Sequence, residues 1–203
     1  MRIGVTGLLA VVTLVAAACG GSAAEPPSTS SLASVPVSSA TATPAVSPTS
    51  PATSGPNVRP GERPPAMPAA AKQHTQEGAL AFAGYFIRAL DWSIATTDPS
   101  ILVPISSPSC AACSSYISRL DSLRRAHGYL QGGRLKLISE KIATGSFSIR
   151  SDYVIVTRTY QEAVLVISPR VKPSHISDAT QDESRVYVGW AHSGWIAVEQ
   201  GGS

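Results

Sequence analysis

Three cysteines, four histidines and a scatter of carboxylates are the side chains with which this 203-residue chain could do covalent or acid–base chemistry. Cys110-Ala-Ala-Cys113 is the most suggestive group. Ser107 as cap and Pro108 as first helical residue would place both thiols in the first two turns of a helix. Free N–H groups and the helix dipole lower a thiol's pKa there, as a dithiol oxidoreductase requires. The opposing reading is a structural disulfide pinning the helix start, which an oxidising compartment forms unaided. Context favours the bridge. A thioredoxin-like dithiol follows a strand in a βαβ pattern, whereas a helix and a short connection precede Cys110, with no tryptophan directly before it.

The other groups make weaker sites. His74, His127, His175 and His192 form no metal-spaced pair, and zinc would need two ligands beyond the cysteines, so no metal is expected. A nucleophile set could be written with His127 or His192 and Asp121, but a cysteine already in a CxxC pair is a poor candidate. Asp91 and Asp98, beside Trp92 and Thr97, read as a helix surface and a turn, so acid–base work is unsupported. No Gly-rich phosphate loop follows a strand, and no cofactor is implied. The formal charge of +3 is too small to argue for a nucleic-acid partner.

The chain divides before any element is assigned. Residues 1–18 read as a signal peptide: Met1-Arg2, then sixteen uncharged residues, fewer than the ~20 needed to span a bilayer. Residues 20–71 hold 11 of the 16 prolines, no aromatic and only four charges, Glu25, Arg59, Glu62 and Arg63. Such a stretch cannot offset its ordering entropy, so residues 19–71 are expected to form a disordered stalk. Residues 72–203 remain as one α+β globular domain.

Within that domain Thr75 caps a helix whose apolar residues, from Ala79 through Phe82, Phe86 and Leu90 to Ile94, fall at three- and four-residue steps. Thr96-Thr97-Asp98-Pro99 ends it. A second helix should run from Ser107-Pro108 to about Ala126, burying Ile117, Leu120 and Leu123. Strands follow: Arg134 to Ala143, and Asp152 to Ile167 with a bend near Gln161-Glu162. A hairpin of 185–192 and 195–199 closes the chain, with Ser193-Gly194 at its turn. Helices first and strands afterwards indicate an antiparallel sheet. Ser168 to Asp182 reads as a loop. Its Arg170, Lys172 and His175 are candidate binding residues at the rim of a site. Val186, Val188 and Trp190 alternate onto one face and Tyr187 onto the other, so core packing on one side with a solvated aromatic or two on the other is expected, and an apolar pocket between the sheet and the first helix is the sharper expectation.

Ala16-Ala-Ala-Cys19-Gly-Gly-Ser22 resembles a bacterial lipobox, with Ala16 where leucine is preferred. Cysteine parity fits it: lipidating Cys19 leaves Cys110 and Cys113 to pair, whereas simple cleavage after Ala18 would leave a spare thiol. With the Pro/Ser/Thr stalk, Glu77-Gly-Ala-Leu-Ala-Phe-Ala-Gly-Tyr-Phe86, Ser109-Cys-Ala-Ala-Cys113 and Gly132-Gly133, the chain resembles an actinobacterial lipoprotein family whose C-terminal domain has no assigned function. Its element order is similar to the cone-like, cystatin and nuclear-transport-factor-2-like folds, in which a bent sheet wraps a long helix. The resemblance implies a protein held on the outer face of the cell membrane by diacylglycerol and palmitate-type chains on Cys19. Its domain is then expected to be a non-enzymatic module for a small ligand or an envelope protein. The alternative is an extracytoplasmic thiol–disulfide oxidoreductase using Cys110 and Cys113.

Overall fold

The computed structural model describes residues 50–202 except Ser148, Arg150, Arg170 and Ser193. The leader, Cys19 and the first part of the expected stalk lie outside the described residues, as does Arg170. Helix α1 spans Gln76–Thr96. Thr75 caps it, its Oγ1 accepting the Gly78 N–H at 3.0 Å, and Glu77 lies in the first turn where the dipole favours an acid. Fifteen of its 21 residues are buried, so α1 is the central element. Asp98 then caps a single 3-10 turn, its Oδ1 accepting the Ser100 N–H at 3.0 Å.

Helix α2 spans Ala111–Arg125, starting three residues later than the Ser107-Pro108 signal suggests. Ser107 instead organises a tight turn, its oxygens accepting the Ser109 and Cys110 N–H groups, and Cys110 is the helix cap. Only Cys113 and Leu120 of its 15 residues are buried. The second helix therefore lies on the outside of the unit.

Seven strands follow among the described residues: β1 Tyr129–Gly132, β2 Leu135–Ile142, β3 Tyr153–Gln161, β4 Val164–Ser168, β5 Val171–Ser177, β6 Thr180–Ala191 and β7 Gly194–Gly202. They form an antiparallel four-stranded sheet, β2-β3-β6-β7, and an antiparallel three-stranded one, β1-β4-β5. The order of the small sheet mirrors that of the large one, because β1 runs into β2, β3 into β4 and β5 into β6. Three long strands thus turn one corner together. The expected lapse at Gln161-Glu162 is one of these crossings. Gly132 and Gly133 make another, with φ of +71° and +70°. A Cβ on Gly132 would stand 2.1 Å from the Ala163 carbonyl oxygen, so glycine is required there. The Gly133 N–H to Ala163 and Glu162 N–H to Arg134 bonds hold the two crossings side by side.

The core lies between α1 and the larger sheet, with Phe82 and Phe86 packed against Ile155, Val186 and Val188. Two expectations require correction. The segment from Ser168 to Asp182 is not a loop: β5 occupies Val171–Ser177, and β6 begins at Thr180. Its polar sequence suits an exposed edge strand, and Lys172 and Pro173 fall where the register with β4 shifts, so proline costs no ladder bond there. The strand β1 was not anticipated because four residues carry no periodicity.

The second correction concerns the stalk. From Ala52 onward the proline-rich segment is docked on the domain. The Ala52 carbonyl accepts from Trp92 Nε1 at 2.9 Å, and the Asn57 N–H donates to Ala95 at 3.0 Å. Gly55 approaches α1 so closely that a Cβ would stand 2.3 Å from the Thr96 Cα. Val58 and Met67 pack against the core. Composition alone misleads here because the segment covers apolar surface that belongs to α1.

A buried ion cluster fastens this segment. Arg134, 6% exposed, donates from Nε and Nη2 to both oxygens of Asp91 on α1, each at 2.8 Å. It also donates to both oxygens of Glu62 at 3.0 and 3.1 Å and to the Asn57 carbonyl at 3.0 Å. Removing one partner of a buried pair strands the other. Arg134→Ala should therefore lose about 3–5 kcal/mol in urea unfolding. The Arg134 guanidinium, ahead of the Arg59 backbone N–H, holds the Glu62 carboxyl below the usual glutamate range. Its stabilisation is present above the ordinary glutamate pKa and is lost as pH falls through the depressed folded value. Glu62→Gln should accordingly be less stable than the native chain at neutral pH, and the gap should close on acidification.

Candidate functional site

The cysteines are placed first by local structure. Cys110 and Cys113 are disulfide-bonded, with Cα atoms 5.2 Å apart, and are 0% and 4% exposed. The Glu199 carboxylate of β7 accepts the Ala111 and Ala112 N–H groups at 3.4 and 3.3 Å and lies 3.8 Å from Cys110 Sγ. The helix N-terminus that would acidify a thiol is thus occupied by a carboxylate, which also repels an incoming thiolate. This environment suits a bridge that joins α2 to its capping turn.

Most of the other sequence candidates are engaged elsewhere. Asp91 is held by Arg134, and Asp98 caps a turn. Asp121 pairs with Arg124 at 2.8 Å and with Arg125, so it is not available to a Cys/His/Asp set. Lys172 and His175 lie exposed on β5, His175 Nε2 being 3.2 Å from Asp178 Oδ1. Among the described residues no group of three or more His, Cys, Asp or Glu side chains could hold a metal.

A wide concavity lies between α2 and the smaller sheet, with a volume of about 840 Å³. Pockets for small ligands run to roughly 300–1,000 Å³ and are mostly apolar with a few polar groups. Leu123, Leu130, Val164, Val166 and Ile176 supply the apolar wall. Ser115, Tyr116, Arg119 and Gln161 are polar groups around its other side. Tyr116 and Gln161 also line an adjoining cavity of about 220 Å³ that includes Thr159, Asp182 and Gln200. The Tyr116 hydroxyl is buried and has no hydrogen-bond partner among the described residues. Burial, reinforced by the Asp91 carboxylate, pushes this phenol far above the usual tyrosine value. It stays protonated and can donate.

The expected pocket was placed between the sheet and the first helix. That space holds the smaller cavity of about 220 Å³, where Ile87 and Ile94 of α1 face Leu135, Thr159 and Ser184 of the larger sheet, and the wider opening lies elsewhere. The opening is on α2, whose Ser115, Ser118 and Ser122 replace apolar residues on the side turned to β1-β4-β5. That serine row was the available sequence signal. Of the expected binding segment, Ile176 lines the cleft and Lys172 and His175 do not.

A second concavity of about 610 Å³ is lined by Met67, Tyr85, Pro104, Trp190 and Trp195, among others. Trp195 is buried, and its Nε1 donates to Gln73 at 2.8 Å. Trp190 is 36% exposed and stacks on His74 at 4.7 Å. Trp195 is thus core, whereas Trp190, which alternation places on one face with the buried Val186 and Val188, is at the surface.

The pattern that defines the family of unknown function DUF6318 matches residues 49–201. The chain belongs to that family. The match begins at the docked segment, so the DUF6318 unit includes the proline-rich stretch that holds Arg134. No curated protein matches the chain. Among solved structures it is similar to the intermembrane space region of the chloroplast protein ARC6, at 12% identity and a TM-score of 0.42, over 64% of this chain and 97% of that one. A likeness of that degree says nothing of function.

A four-residue disulfide loop stabilises by about 2 kcal/mol in the chain-entropy account. Cys110→Ser/Cys113→Ser should lose no more than this and stay folded by circular dichroism. In the native chain a phosphine reductant followed by alkylation should label the pair slowly, and labelling should become rapid in denaturant.

Proposed function

We propose that this DUF6318 protein is a lipid-anchored surface module that holds an apolar ligand in the cleft between α2 and the smaller sheet. The observation that carries the reading is the cleft itself: an apolar trough of ligand size, left open because α2 buries only two of its residues. An open apolar surface of this kind is retained where something fills it.

Anchoring is supported by the Ala16–Ser22 pattern and by the disulfide, which leaves Cys19 as the remaining cysteine of three. Two acyl chains suffice for stable attachment, at roughly 0.8 kcal/mol per buried CH₂. At about 3.1 Å per residue, the segment 20–49 would hold the unit within roughly 90 Å of the outer membrane–water boundary. A binding role without catalysis accords with the engaged carboxylates and the enclosed cysteines. The oxidoreductase reading draws less support, since Glu199 and burial both oppose thiol exchange at Cys110.

Two measurements test this. Intact-mass analysis of chain extracted from membranes should show acyl mass on a polypeptide starting at Cys19; a free thiol there refutes anchoring. A neutral apolar dye such as N-phenyl-1-naphthylamine should brighten on the protein with saturable binding. Leu130→Trp should abolish this with the thermal midpoint kept; unchanged dye binding refutes the cleft.

A further inference from the structure

Resting on the cleft reading above, we propose that its ligand is a single-chain amphiphile of the fatty-acid class, with the carboxylate held by Arg119 and Tyr116. The cleft has a direction. Leu123, Leu130 and Val166 line it beyond the later turns of α2, beside Gly128, where a Cβ would meet Leu123 and the Ile167 carbonyl. Tyr116 and Arg119 line it from the earlier turns. Being three residues apart on α2, they are neighbours on one helix face.

The polar end is furnished with donors. Asp121 holds both Arg124 and Arg125, whereas Arg119 has no acidic partner among the described residues. The Tyr116 hydroxyl is buried, protonated and without an acceptor among the described residues. An ionised carboxylate is an acceptor-only group, and a guanidinium with a phenolic O–H is the donor set it requires. A neutral alcohol would leave the guanidinium unmatched. One cation at the mouth balances a monoanion better than a dianionic phosphate ester. Asp182 in the adjoining cavity and Asp91 behind the Tyr116 hydroxyl set a limit on depth, since like charges keep the head on the Arg119 side of that hydroxyl.

The full chain carrying Cys19→Ser, purified without detergent, provides the test. Dodecanoate, dodecanol and dodecyl phosphate would each be titrated against bound N-phenyl-1-naphthylamine. Dodecanoate should displace the dye at a concentration at least tenfold below that of dodecanol. Arg119→Gln should remove that advantage and leave dodecanol unchanged, while Tyr116→Phe weakens dodecanoate several-fold. Equal potency of dodecanoate and dodecanol, or an advantage that survives Arg119→Gln, overturns the carboxylate head and leaves the apolar cleft standing. A clear preference for dodecyl phosphate overturns the fatty-acid class. Failure of the neutral dye to bind overturns the cleft reading itself.

Discussion

A guanidinium almost wholly removed from water must be matched by anions and acceptors, and Arg134 meets that demand with three groups from two separate parts of the chain. It stands at the corner where the strands pass from one sheet to the other. Asp91 fixes that corner to the central helix, and the Leu135 N–H adds a bond to the same carboxylate at 2.8 Å. Glu62 and the Asn57 carbonyl fix it to the proline-rich segment, whose Asn57 side chain donates to the Gly132 carbonyl at 2.7 Å. The direction of the strands beyond the corner follows from this anchorage. So does the order of residues 52–71, which bury too little apolar surface to fold by themselves.

The cleft is a consequence of that geometry. The long strands leave α1 at the corner and continue as β4, β1 and β5 away from the central core. Helix α2 is held at its start by the Cys110–Cys113 bridge and by Glu199 from β7. It crosses the space before the smaller sheet without filling it, because serines occupy the facing positions. The apolar residues on both sides therefore line a trough. The same device that stiffens the helix start, a carboxylate on its free N–H groups, makes that end a poor place for thiol chemistry.

Much of this was legible in the sequence. The Thr75 cap fixed the start of α1 to the residue, and the periodic apolar run with the Thr96-to-Pro99 stop placed its end within a turn, since capping and periodicity are local signals. The break at Gln161-Glu162 was visible as a lapse in alternation. What failed to show depended on distant partners. Residues 52–71 look like a linker because their order comes from α1 and Arg134. Val171–Ser177 looks like a loop because an exposed edge strand carries polar residues, and even a proline, at little cost. Arg134, adjoining Gly132-Gly133, carried no mark that it would be buried. The pocket expected between α1 and the sheet is only the small cavity beside Ile87 and Ile94, and the wider cleft on α2 gave no sign because how much of a helix face its neighbours cover cannot be judged from that helix's pattern. Tyr116 was overlooked for a related reason: a lone tyrosine on a weakly amphipathic helix gives no sign that its hydroxyl will lack a partner.

The central claim is that an apolar chain occupies the space between α2 and the smaller sheet. Photolabelling with a diazirine-bearing fatty acid, followed by peptide mass mapping, tests it most directly. The account predicts covalent adducts concentrated on Leu123, Leu130, Val166 and Ile176. Adducts concentrated around Trp190 and Trp195, or spread evenly over the surface, would contradict it.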